Sequence, residues 1–290
     1  MRFILRKGLK SSGSKGKTNK RTKRVKRLGL VLFFSAFVLS SLIVIIYFQW
    51  FSSTPRALPR ALIVDGLFHH PNRGFIEEAS RLLVEAGFEV DVVGAEGVTV
   101  EFYRLLPSKG YRLIILRVHV GPVYRHLPGG GKIAEGTVLF TTEIYDEKRY
   151  VDLQAAGLLA VARIYGRPKV SYFAVPPWFF EEASTGRFEN STVILDSCYG
   201  FYWEAPYIMA ETFLYKGAKV FIGWDGEVQA DHTDRAVLEL LRALLVERLS
   251  VKEAVDRVMK LVGPDPYYRS IMLYHPPEAA SMRLRPVEGS

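Results

Sequence analysis

Leu28 to Phe51 is a run of 24 residues without a charge. About 20 apolar residues are enough to span a bilayer core. The run is longer than the roughly 7–15 apolar residues of a signal peptide, and no small-residue cleavage site follows it. Tyr47, Trp50 and Phe51 gather at its distal end, where aromatic side chains favour the membrane interface. Residues 1–27 carry twelve Lys and Arg and no acid. These features predict a single uncleaved anchor in the cell membrane, with a cytoplasmic N-terminus and residues 52–290 outside. The chain has 39 basic and 30 acidic residues. With twelve of the basic ones in the arm, the remainder is slightly acidic, and the arm's charge is a topology signal. No nucleic-acid partner is expected. The expected divisions are a basic arm at 1–27, the anchor at 28–51, a Pro-containing linker at 52–60 and an outer domain at 61–290.

The outer domain holds one cysteine, Cys198, so no intrachain disulfide can form and a core must hold it together. From Ala61 the pattern alternates between strand and helix. ALIVDG at 61–66 reads as a strand. FIEEASRLLVEA at 75–86 has helical spacing, with Gly87 as its stop. FEVDVV at 88–93 is a second strand, 99–106 a short helix, and YRLIILRV at 111–118 a strand apolar enough to be covered on both faces. Beyond the glycines at 129–131, strands are expected at 137–142, 169–175, 192–197 and 219–224. Helices are expected around 149–165, 177–184, 204–216, 232–248 and 251–261. The tail from His275 shows little pattern. The order predicts an α/β domain with helices on both faces of a mostly parallel sheet.

Ligands of open parallel sheets bind beyond the carboxyl ends of the strands. Those positions hold Asp65 with His69-His70, His119, Asp196 to Gly200, and Trp224-Asp225. If the strands ending at His119 and Cys198 are neighbours, an imidazole and a thiol open onto one sheet edge, where the imidazole can take the thiol proton. A helix beginning just after Cys198 would lower the thiol pKa. Backbone N–H groups near Gly121 and Cys198 are candidates for an oxyanion hole. Asp65, Asp196, Asp225 and Glu227 are candidates to bind a basic substrate side chain.

The order of strand, helix, strand, strand ending in His-x-Gly, hairpin excursion and strand ending in Ser-Cys resembles the caspase-like cysteine peptidases. The likeness is greatest to CHAT-type domains. TVILDSCYG resembles the family's cysteine strand, and AKVFIGWDGEV its following Gly- and Trp-containing strand. In that family the catalytic His follows one strand and the nucleophilic Cys follows its neighbour. The resemblance implies a peptide or protein substrate, with Cys198 as nucleophile and His119 as acid–base. Here Val120 separates His119 from Gly121, where the family has His-Gly directly. Two other readings stand beside this one. A non-catalytic, membrane-tethered binding or assembly module could use Tyr199, Phe201, Tyr202, Trp203 and Tyr207. A metal-dependent hydrolase could use His69, His70, His119 and Asp231 to Asp234. Neither H-x-x-x-H nor H-E-x-x-H occurs, so no metal or cofactor is expected.

Overall fold

The computed structural model describes residues 58–166, 169–202 and 208–284, together with 33, 35 and 37–47. Residues 37–47 are helical. Among the described residues no helix is long and apolar enough to cross a membrane. The basic arm at 1–27 and both ends of the expected anchor lie outside the described residues. Residues 1–57 and 58–290 are two separate units.

The central sheet is built from the most apolar runs. β1 (Arg60–Asp65), β3 (Leu113–Arg117), β8 (Thr192–Leu195) and β9 (Val220–Trp224) are buried almost throughout. β2 (Glu89–Val93) takes one edge and β10 (Met272–His275) the other. The order is β10-β9-β8-β3-β1-β2. All neighbours are parallel except β10, which runs antiparallel to β9. The expected neighbourhood of the third strand and the 192–197 strand is present, with Leu113 opposite Thr192 and Leu116 opposite Leu195.

Alternate side chains of each strand enter two cores, one on each face. On one face Ile63, Ile115, Ile194 and Ile222 meet α1 (Arg73–Glu85), α6 (Ala230–Leu241) and α7 (Val251–Leu261). On the other, Leu62, Leu116, Leu195 and Phe221 meet α2 (Val100–Leu105), α4 (Pro177–Glu182) and α5 (Met209–Tyr215). Phe180, Phe188 and Phe213 stack there, with ring centroids 4.9–6.1 Å apart. Helix starts follow local chemistry. Asn72 caps α1, Thr99 caps α2, and Ser250 with Glu253 forms a capping box on α7.

The region between β3 and β8 departs from expectation. The segments expected as strands at 137–142 and 169–175 do not join the central sheet. They lie in a second, antiparallel sheet ordered β4-β5-β7-β6. β4 (Val120–His126) and β5 (Lys132–Ile144) form a hairpin whose turn uses Gly129 and Gly130 at φ of 103° and 94°. The helix expected around 149–165 shrinks to α3 (Val151–Ala155). Gly157 ends it in the left-handed region, and Ala160–Ala162 becomes β6, paired with β7 (Tyr172–Val175). The tail is also more regular than expected. β10 has four residues and one neighbour, too little for a pattern to emerge from its sequence alone.

Candidate active site

The chain leaves β1 toward β2 on one side and returns through β3 on the other, so the sheet has its topological switch point at the tips of β1 and β3. A cleft of about 440 Å³ opens at this end of the sheet. Val118 and His119 after β3, and Asp196, Ser197 and Cys198 after β8, form its floor. Val228 to Asp231, at the start of α6, and Tyr268 form a wall.

A buried polar network lies under this floor. Arg117, the last residue of β3, is fully buried. Its Nε donates to Asp234 Oδ1 at 2.7 Å and its Nη2 to Asp234 Oδ2 at 3.0 Å. Its Nη1 reaches Asp65 at 2.6 Å and its Nη2 the His70 carbonyl at 2.7 Å. Burial works against the guanidinium charge, but Asp234 and Asp65 outweigh it and hold Arg117 firmly protonated. Asn72 also donates to Asp234, at 2.7 Å. Asp196, just past β8, accepts from the Thr233 hydroxyl at 2.6 Å, and the same hydroxyl accepts from Trp224 Nε1 at 2.9 Å. Burial first, and the nearby Asp234 carboxylate second, push the Asp196 carboxyl well above the usual carboxylate range. Its surroundings therefore favour the protonated form. Consecutive residues of α6, Thr233 and Asp234, thus hold the tips of both β8 and β3.

His119 stands two residues beyond Arg117. Its Nε2 is buried and has no hydrogen-bond partner among the described residues. The His70 ring lies 6.4 Å away, centroid to centroid. Burial, then the neighbouring histidines and Arg117, pull the His119 pKa down to about 4. The imidazole is therefore neutral at pH 7, and its buried Nε2 is left without a partner among the described residues.

Cys198 stands two residues beyond Asp196 and is partly buried. Its Sγ is not hydrogen-bonded to His119. It accepts from the Val228 N–H at 3.4 Å and donates to the Val228 carbonyl at 3.5 Å. The expected lowering of the thiol pKa is reversed. Among the described residues the next helix, α5, starts at Met209, and burial pushes the thiol up to about 11. Tyr199, the next residue, has φ of 56°, a conformation that a bulky side chain adopts only under constraint.

The remaining candidates separate. Asp196 lines the cleft. Asp65, Asp225 and Glu227 do not. Asp65 pairs with Arg117, Asp225 accepts from the Ile271 N–H, and Glu227 is exposed and accepts from the Tyr199 hydroxyl at 2.6 Å. Each is committed to a structural bond, so the expected acidic pocket is not assembled. Gly121 lies in β4 opposite Val138, one strand position past the cleft. Phe201 is buried against Phe221, with ring centroids 5.5 Å apart. Trp203 and Tyr207 lie outside the described residues.

Among the described residues, no group of three or more His, Cys, Asp or Glu is arranged to hold a metal. His232 contacts the Gly263 carbonyl at 3.1 Å, and Thr233 and Asp234 belong to the buried network. These three candidate ligands are thus engaged in structural bonds. Gln229 holds the cap position of α6, and Asp231 lies in its first turn.

Sequence reasoning missed Arg117, Thr233 and Tyr268. A single Arg ending an otherwise apolar strand was the available signal for the first. Tyr268 is brought in because Asp265 accepts from the backbones of Gln229, Tyr267 and Tyr268, folding that loop against the start of α6. No protein-family model matches this chain, and no curated protein matches it in sequence.

Proposed function

We propose that residues 61–290 form a caspase-like cysteine peptidase, held at the outer face of the cell membrane by an anchor over 28–51. Cys198 is the nucleophile and His119 the general base and acid. The observation that carries this reading is that His119 and Cys198 line one cleft beyond the carboxyl ends of two adjacent parallel strands. The β4–β5 hairpin that follows His119 supports it, because the family likeness includes a hairpin excursion at that point. The open Nε2 of His119 supports it as well, since a histidine kept only for structure has its ring nitrogens engaged. Support for the anchor comes from the sequence, with its charge-free run and basic flank. The helical residues 37–47 also expose Phe37, Leu39, Ile43 and Ile46, which need an apolar partner.

In this mechanism the Cys198 thiol gives up its bond to the Val228 carbonyl when a peptide enters. Neutral His119 takes the thiol proton as sulfur attacks the peptide carbonyl carbon. The C–N bond breaks, His119 returns its proton to the leaving amine, and a thioester remains on Cys198. His119 then takes a proton from water as its oxygen attacks the thioester carbon, the C–S bond breaks to release the acid, and His119 returns the proton to the Cys198 sulfur. Backbone N–H groups at the strand tips stabilise the oxyanion.

The hydrogen bonds between Cys198 and Val228, and the raised thiol pKa, favour a second reading, in which the same cleft binds a peptide without cleaving it. One experiment separates the two. The full chain in detergent micelles is treated with a thiol-directed peptidyl probe and profiled against a peptide library. The peptidase reading expects Cys198 to be labelled, His119→Ala to weaken labelling, and Cys198→Ala to abolish cleavage. Peptide binding with neither labelling nor cleavage would establish the binding module instead.

A further inference from the structure

At the opposite end of the central sheet, where the strands begin, a second depression of about 390 Å³ is lined by Pro59, Arg112, Asn190, Lys219, Arg283 and Leu284, among others. Its three charged side chains are all cationic, and no acidic side chain lines it. The backbones place them. Arg112 precedes β3 and Lys219 precedes β9, and each is hydrogen-bonded through its backbone to the start of β8 between them. Two strand spacings separate them, roughly 10 Å. Both are exposed, and no salt bridge among the described residues involves either. Arg283 is partly engaged, with Glu253 at 3.1 Å. The pair gives this end of a slightly acidic domain a local positive field, which attracts anions.

Pro59, at the rim of this depression, is where the chain enters the domain. Residues 52–58 are all that separate it from the end of the charge-free run. Even fully extended, that tether reaches at most about 30 Å.

We infer that this basic face docks on the membrane surface, with Arg112, Lys219 and Arg283 receiving the phosphates of anionic lipid headgroups. The inference rests on the anchor reading but not on the peptidase chemistry. It assigns the face a partner of one chemical class, an anionic lipid headgroup. Lys and Arg near an anionic surface are attracted within about a Debye length, ~10 Å at ordinary salt.

The test uses the full chain in lipid nanodiscs of phosphatidylcholine alone or with phosphatidylglycerol. An amine-reactive reagent and mass spectrometry read the labelling rate of Lys219, with exposed Lys148 as internal reference. Labelling of Lys219 is expected to slow about threefold or more in the anionic discs, to recover in molar salt, and to recover in Arg112→Glu. Lys148 should be unaffected. Equal Lys219 labelling in both discs, with the chain embedded, would overturn the docking surface and leave the anchor standing. Protection by inorganic phosphate in the neutral discs would reassign the depression to a free anion and overturn it as well. A chain that elutes apart from the discs would overturn the anchor, and the docking surface with it.

Discussion

The tips of β3 and β8 are built on the same plan and end differently. Each strand ends with a buried polar residue, Arg117 or Asp196, that grips the first turns of α6. Each then places its chemistry two residues further on, at His119 or Cys198. On the β3 side the anchor is charged and fully compensated, and the residue beyond it has an open nitrogen. On the β8 side burial and the nearby Asp234 carboxylate favour the protonated form of the anchor, and the sulfur beyond it is bonded twice to Val228. The difference teaches that positioning and readiness are separate properties of a site. The same helix supplies the first to both tips, while the state of the second is set by what each reactive atom touches.

The comparison can be broken most severely at His119. Under the peptidase reading, His119→Ala should lower kcat/KM by about 10²–10⁴-fold with little change in thermal stability. A loss of stability comparable to the loss of rate would make His119 a structural residue. Next in size, Asp234→Ala leaves the Arg117 guanidinium buried with only Asp65, and should cost about 3–5 kcal/mol in chemical denaturation. Thr233→Val acts on the other tip. It strips partners from both Asp196 and Trp224, and should cost about 1–3 kcal/mol.

Two pH-dependent effects are smaller and sharpen the contrast. Folding holds a proton on Asp196 that the unfolded chain releases, so it contributes stability at acid pH that is lost as pH rises above the ordinary carboxylate range. Asp196→Asn mimics the protonated acid. Its stability relative to the parent should improve between pH 4 and pH 7, as read by paired urea titrations. His119 behaves in the opposite sense. Its folded pKa of about 4 lies below the ordinary value near 6.5, so its share of stability is full above pH ~6.5 and declines as pH falls toward 4. An imidazole NMR titration of His119 with a midpoint above 6 would remove that contribution.

Much of the central sheet was legible in the sequence because buried parallel strands are continuous apolar runs, as in RLIILR and TVIL. The amphipathic spacing of FIEEASRLLVEA likewise gave α1. Legibility failed where structure depends on partners distant in the chain. The segment AVARIYG carries weak helical and weak strand signals, and only pairing with β7 decides between them. Within the site, the positions of His119 and Cys198 followed from strand ends alone. The fates of Asp65, Asp225 and Glu227 did not, because a carboxylate at a strand tip reads the same whether it faces a cleft or an arginine. The thiol's raised pKa was equally hidden, since Val228 reaches Cys198 only through the turn after β9.

The place of β8 in the sheet has a kinetic consequence. It pairs with β3 on one side and β9 on the other, yet the whole second sheet is synthesised between β3 and β8. Closing so large a loop is entropically costly and comes before the contacts that reward it. A chain emerging from the ribosome or translocon can complete β1, β2, β3 and the hairpin sheet while still carrying half a cleft. The second half arrives only when β8 slots in and α6 closes over both tips. Whatever the cleft binds or cleaves, the nascent chain has no means of doing so before β8, α6 and the Tyr268 loop have been made.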